Sequence, residues 1–151
     1  MSPQDVAAVL ANARALQRAV QAGTNQPLLR GKNIGLLCNS ADDEDAVFFR
    51  AAALDLGAHV THIRPSLSEF STLQEVQHTA RVLGRLYDAV ECQGIPAALV
   101  QRIADAAGVP VYDGIASGHH PTARLAELLG DGDLAGNRRF LLQAVLLGSI
   151  D

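Results

Sequence analysis

Residues 29–63 read LRGKNIGLLCNSADDEDAVFFRAAALDLGAHVTHI, and the succession of patterns in this stretch decides the fold. The apolar run Ile34–Cys38 has the length of a buried strand and is too short for a helix. A polar turn follows, then a helical segment from about Asp42 to Gly57, then a second strand, His59–Ile63. A helix between two strands is the crossover that parallel pairing needs. The alternation continues with a helix over Thr72–Leu86, a strand over Asp88–Cys92, a helix over Pro96–Ala107 and a strand over Val109–Tyr112. These elements predict a three-layer αβα domain, a four-stranded parallel sheet with right-handed crossovers and helices on both faces.

Outward from this core, Val6, Val9, Leu10, Ala13, Leu16 and Val20 recur at helical spacing, which predicts an amphipathic helix over residues 3–22. A Gly-Thr-Asn break and Pro27 make residues 22–32 a loop. A helix opening near Pro121 carries Leu125, Leu128 and Leu129, and Gly130–Gly136 (GDGDLAG) reads as a flexible polar linker. The last segment, NRRFLLQAVLLGSI (Asn137–Ile150), is apolar nearly all round from Phe140 to Leu147, so it has to be buried in the domain or in an assembly.

A chain of 151 residues is about one domain, long enough to bury a core. A net charge of −4 without a basic run argues against nucleic acid and anionic membrane surfaces as partners. No apolar stretch has the length of a membrane span and the N-terminus is not signal-like, which points to a cytoplasmic protein. Cys38 and Cys92 do not make a disulfide framework. Buried reduced thiols are the ordinary reading; a redox or metal pair, formed if the two strand ends are neighbours, is the alternative.

Several runs carry a resemblance. RGKNIGLL (residues 30–37), DLGAHVTHIRPS (55–66), TARVLGRLYDAV (79–90), AGVPVYDGI (107–115) and His120-Pro121-Thr122 together resemble the carbamoyl-phosphate domain of the aspartate/ornithine carbamoyltransferase family, the ornithine enzymes above all. The likeness covers almost the whole chain but only part of such an enzyme, whose second domain binds the amino acid and supplies a catalytic cysteine loop. NRRFLLQAVLLGSI resembles the family's final helix, which follows that second domain and packs back onto the first. The resemblance therefore implies residues 1–130 as the carbamoyl-phosphate-type domain, 131–136 as a linker replacing a deleted amino-acid-binding domain, and 137–151 as the returning helix. On this expectation the chain is a complete small protein with an internal deletion.

The family's phosphate-binding turn, Ser-Thr-Arg-Thr-Arg, falls here on Asp42, Asp43, Glu44, Asp45 and Ala46. The family's Arg-Gly motif falls on Gln93-Gly94, the glutamine lent by a neighbouring subunit on Glu69, and His-Pro-Thr-Gln on His120, Pro121, Thr122 and Ala123. Two phosphate-seeking arginines are thus replaced and four acids stand in the turn. Reversed charges near a phosphate cost about 4 kcal/mol per pair at 4 Å in a near-surface dielectric, more than a helix dipole returns. The expectation is loss of both the carbamoyl-phosphate and the ornithine site, with no catalytic residue, no metal and no cofactor.

The acids have two readings. Ser40 followed by Asp43 resembles a capping box, and first-turn carboxylates favourably meet the helix dipole. Alternatively Asp42, Asp43, Glu44 and His120 form a new pocket for a cation or metal, although no EF-hand spacing is present. His59 and His62 point to opposite faces of a strand, His119 is a loop residue, and Arg81 and Arg85 are solvated or structural charges. Three functions follow. The first is a non-catalytic binding or assembly protein, trimeric by resemblance, alone or mixed with a full-length carbamoyltransferase. The second is a cation or metal sensor, or an enzyme of changed chemistry. The last in rank is residual carbamoyl-phosphate binding through Lys32 or Arg64.

Overall fold

The computed structural model describes residues 2–130 and 132–150; Asp131 of the expected linker and Asp151 of the expected last segment lie outside the described residues. Four strands, β1 (Asn33–Leu37), β2 (His59–Ile63), β3 (Ala89–Cys92) and β4 (Val111–Asp113), pair in parallel in the order β2-β1-β3-β4. The crossover helices are α2 (Glu44–Asp55), α3 (Leu73–Leu86) and α4 (Ala97–Ala107); α1 (Pro3–Ala22), a 3₁₀ segment (Pro121–Leu129) and α5 (Leu134–Ser149) complete the chain. The αβα expectation from the alternating patterns holds. Among the described residues no helix is long and apolar enough to cross a membrane.

Strand alternation divides the core into two layers. Ile34, Leu36, Cys38, Ala89 and Tyr112 join Phe49 and Ala53 of α2 and Leu142 and Leu146 of α5 on one face. Leu37, Val90 and Cys92 join Val76, Ala80 and Leu83 of α3 and Leu99 and Ile103 of α4 on the other. Because Leu37 is in register with Cys92, Cys38 points to the opposite face from Cys92. Both thiols are free and buried, in separate layers, so the redox or metal pair does not form. Burial pushes the Cys92 thiol up to about 12, helped by the charges of Glu91 and Asp113, and raises that of Cys38 as well. Neither is a ready thiolate.

Helix ends differ from the sequence reading where local hydrogen bonds decide them. Thr72 caps α3 as part of a capping box with Glu75 (3.1 and 3.2 Å). At α2 the box expected from Ser40 is absent: the cap is Asp43, with no side-chain bond, and the Ser40 hydroxyl instead accepts from the Asp42 N–H at 3.3 Å. α5 begins at Leu134, inside the stretch 131–136 read as linker, because Asp133 accepts from the Gly136 N–H at 2.9 Å and closes the first turn. β4 starts two residues later than predicted and ends one later, over Val111–Asp113.

α5 is buried as its composition required. It packs between α1, α2 and the 3₁₀ segment, with Leu141 and Ala144 against Ala13, Ala126 and Leu129. Gln143 donates to the Ala52 carbonyl at 3.0 Å, and Tyr112 and Ser149 hydroxyls meet at 2.5 Å, tying the end of α5 to β4.

Backbone approaches backbone closely between α3 and α4 at Gly84. A Cβ at Gly84 would overlap the carbonyl oxygen and carbon of Ala107, so only glycine admits this contact. Gly84→Ala is expected to destabilise the domain by about 3 kcal/mol, read as a fall in the urea midpoint at unchanged slope. An unchanged midpoint would contradict this packing.

Candidate functional site

The chain turns one way from β1 to β2 and the other way from β3 to β4, so the topological switch point lies between the carboxyl ends of β1 and β3. A recess of about 380 Å³ opens there, lined by Asn39, Asp43, Glu44, Asp45, Gln93 and Gly94. β1 delivers Asn39, β3 delivers Gln93 and Gly94, and the amino end of α2 delivers the three acids. The acids stand on the positive end of the helix dipole. Among the described residues no hydrogen bond or ion pair engages their carboxylates. The capping-box part of the structural reading is not met, because the Ser40 hydroxyl bonds elsewhere, while Glu44 and Asp45 do lie in the first turn of α2.

Beneath the recess lies a residue that the sequence reading passed over. Glu91 is fully buried on β3, facing the α2–α5 layer beside Leu36 and Tyr112. Its two carboxylate oxygens accept from the Ile115 and Ala116 N–H groups, each at 3.2 Å, and one accepts from Gln93 Nε2 at 3.4 Å. Burial pushes this carboxyl up from 4.5 to about 7, against the pull of those hydrogen bonds. An acid within the otherwise apolar run Ala89–Cys92 is the signal that was available, since a buried carboxylate has to be paired or protonated.

Gln93 carries the link outward. Its Nε2 donates both to Glu91 and to the Asp45 carbonyl at 3.3 Å, which ties the recess floor to the first turn of α2. Its Oε1 is buried and without a partner among the described residues.

The remaining predicted positions are placed elsewhere. Asp42 is exposed in the turn and does not line the recess. Glu69 is exposed in the loop before α3, next to Phe70, and also lies outside the recess lining. His120 caps the 3₁₀ segment: its Nδ1 is 2.8 Å from Thr122 Oγ1 and accepts from the Thr122 N–H at 3.2 Å. Burial lowers its pKa, with Asp113 opposing. Pro121 opens that segment, Thr122 is buried and Ala123 half-buried. The pocket of Asp42, Asp43, Glu44 and His120 is therefore not assembled as one unit. Among the described residues no three His, Cys, Asp or Glu side chains converge to hold a metal.

A second recess lies on the other flank of the same helical turn, lined by Glu44, Asp45, Phe48, Gly118, Ala135 and Arg138. Arg138 donates to the Ala116 carbonyl at 3.1 Å and lies over the Phe48 ring, 5.2 Å from its centre. This flank has a cation in its lining; among the described residues none lines the switch-point recess.

A parallel αβα domain with a ligand recess at the switch point beside a helix amino end belongs to the class of folds that bind small molecules there. The model of the aspartate/ornithine carbamoyltransferase carbamoyl-phosphate-binding domain matches residues 1–130, and the chain belongs to that family. An ornithine carbamoyltransferase of Actinobacillus pleuropneumoniae serotype 5b is 45% identical over 116 residues, 77% of this chain and 35% of that one. A catabolic ornithine carbamoyltransferase of Mycoplasma capricolum subsp. capripneumoniae is 40% identical over 140 residues, 93% of this chain and 45% of that one. The ornithine carbamoyltransferase structure from Pyrococcus furiosus superposes with a TM-score of 0.69 at 26% identity, over 83% of this chain and 40% of that one. The chain thus spans less than half the length of these relatives.

The Glu91 shift sets a pH dependence. Folded, the carboxyl keeps its proton to about pH 7; unfolded, only to about 4.5. Between these values unfolding releases a proton, so this group's contribution to stability falls as pH rises, by about 3 kcal/mol in all. Glu91→Gln removes that slope. Its melting temperature relative to the unmodified chain is expected to rise from pH 5 to pH 8, and an offset independent of pH would contradict the assignment.

Proposed function

We propose that this domain has lost carbamoyl-phosphate binding and serves as a non-catalytic binding or assembly unit. The observation that carries the reading is the switch-point recess, lined by three acids and no Lys, Arg or His. A dianionic phosphate placed there meets carboxylates on the helix end that would otherwise attract it. Each pair costs about 4 kcal/mol at 4 Å, against the 0.3–1 kcal/mol that a helix end typically offers. The family match, over residues 1–130, is to the carbamoyl-phosphate-binding domain.

Assembly is the function left to a domain of this family without its substrate. Trimerisation, with a neighbour's loop reaching across, is what the resemblance implies. Two exposed apolar side chains on and beside the corresponding loop support it: Phe70, next to Glu69, is 88% exposed and Leu73 is 61% exposed. The partner is another copy of this chain or a full-length carbamoyltransferase. The reading also carries the expectation of a cytoplasmic protein acting on neither nucleic acid nor membrane.

Light scattering with a thermal shift titration tests both halves. The expected mass is three times that of one chain, reduced to one by Phe70→Asp, with no change in melting temperature at saturating carbamoyl phosphate. A ligand at a hundred times its dissociation constant would add about 2.7 kcal/mol, so binding would be visible. A carbamoyl-phosphate shift, or a monomer that forms no mixed species with a full-length enzyme, would overturn the corresponding half.

A further inference from the structure

We propose that Glu91 and Gln93 form a proton-operated switch on the first turn of α2. With Glu91 ionised, the Gln93 amide donates to it and to the Asp45 carbonyl. With Glu91 protonated, the amide turns over, accepts from the new O–H and releases that carbonyl. The inference does not depend on the loss of carbamoyl-phosphate binding, so neither reading falls with the other.

The hydrogen bonds of the buried carboxyl force the choice. The Ile115 and Ala116 N–H groups each donate to it at 3.2 Å, Gln93 Nε2 donates at 3.4 Å, and the Gly114 N–H also favours the charged form. All of these are donors, so they suit a carboxylate and leave the O–H of a carboxylic acid nothing to donate to. A backbone N–H cannot reverse its role. Among the described residues that bond Glu91, Gln93 alone carries an acceptor beside its donor. That acceptor, Oε1, is buried and without a partner among the described residues. Half a turn of the amide exchanges Oε1 and Nε2 in nearly the same volume. Oε1 then takes the place that Nε2 now holds, 3.4 Å from the Glu91 carboxyl and 3.3 Å from the Asp45 carbonyl. The first contact becomes an O–H···O bond, and the second sets two acceptors against each other and has to open. The unpaired Oε1 is thus the idle half of a two-position group.

The proton is exchanged near neutrality, since burial pushes the Glu91 carboxyl up to about 7. Its ionisable neighbours in the core do not compete for that proton. Cys92 on β3 and Tyr112 on β4 are both pushed up to about 12 by burial, and the Cys38 thiol, just past β1, is raised as well. The charged side chains on the packed elements are Asp113 of β4, Asp45 of α2 and Arg138 of α5, which donates to the Ala116 carbonyl. His120, after β4, is the group to be told apart: burial lowers its pKa, so its proton leaves at lower pH than that of Glu91. Asp45 lines the switch-point recess, so the switch changes how one wall of that recess is held to β3.

Carbon-13 and nitrogen-15 NMR of the whole chain, between about pH 5.5 and 8.5, reads the parts separately. The Glu91 carboxyl carbon, the Gln93 side-chain amide and the Asp45 carbonyl carbon are expected to titrate together with a midpoint of about 7. One pH unit on either side of it turns the ratio of held to released carbonyl from about ten to one into about one to ten. In Glu91→Gln, whose amide can donate to Gln93 Oε1 at every pH, the Asp45 carbonyl is expected to keep its low-pH shift throughout. In Gln93→Leu the Glu91 carboxyl is expected to titrate without the Asp45 carbonyl following. Asp45→Asn keeps the backbone carbonyl and His120→Gln removes the other ionisable group, and both are expected to retain the transition. An Asp45 carbonyl that stays still while Glu91 titrates, or a Glu91 carboxyl that keeps one charge across the range, would overturn the inference. So would a transition that survives in Gln93→Leu or disappears in His120→Gln.

Discussion

The upper end of the sheet depends on one buried carboxyl. Glu91 sits fully buried on β3 and gathers the Ile115 and Ala116 N–H groups of the segment after β4, together with the Gln93 amide. Those contacts fix where the chain goes after the last strand and hold the floor of the recess in one orientation. Gln93 in turn grips the Asp45 carbonyl, so the first turn of α2 is positioned from β3 as well as from β1. A buried ionisable group is costly, and its hydrogen bonds offset only part of that cost, which is why its pKa stands near neutrality. The recess thus stands over a titratable carboxyl, and three acids line its rim.

The same helix end illustrates how one scaffold serves opposite charges. The amino end of α2 presents unpaired N–H groups whatever residues surround it, and these favour anions. Placing Glu44 and Asp45 in the first turn meets that field from within the chain, each contributing roughly 0.3–1 kcal/mol to the helix. Stability and anion binding compete here for one electrostatic resource. The proposed function follows from the chain having spent it on its own side chains.

Much of the architecture was legible because its signals are local. The spacing from Val6 to Val20 marked α1 to the residue, and Thr72 with Glu75 marked the start of α3. The alternation of strands and helices and the runs shared with carbamoyltransferases marked the sheet. What escaped depends on contacts distant in sequence or on competition between local bonds. Ser40 had the pattern of a cap, but its hydroxyl went to the Asp42 N–H, leaving Asp43 as a cap without a side-chain bond. Gly136 read as linker, whereas Asp133 closes a helical turn over it. Cys38 and Cys92 were conceivable neighbours until the register of Leu37 with Cys92 set them on opposite faces. The unpaired oxygen of Gln93 was invisible, since it follows from where Asp45 and Glu91 lie. His120 keeps its place in the chain, yet its ring is engaged with Thr122 and does not line the acidic recess.

The central claim is that charge at the switch point, and not the frame around it, excludes carbamoyl phosphate. Its most direct test is calorimetric titration of carbamoyl phosphate into the variant Asp42→Ser/Asp43→Thr/Glu44→Arg/Asp45→Thr/Gln93→Arg, which restores the family's residues on this chain's backbone. Saturable binding by this variant, with none by the unmodified chain, is the predicted result. Equal binding by both would contradict the claim, and a folded variant that still binds nothing would show that the frame itself no longer forms the site.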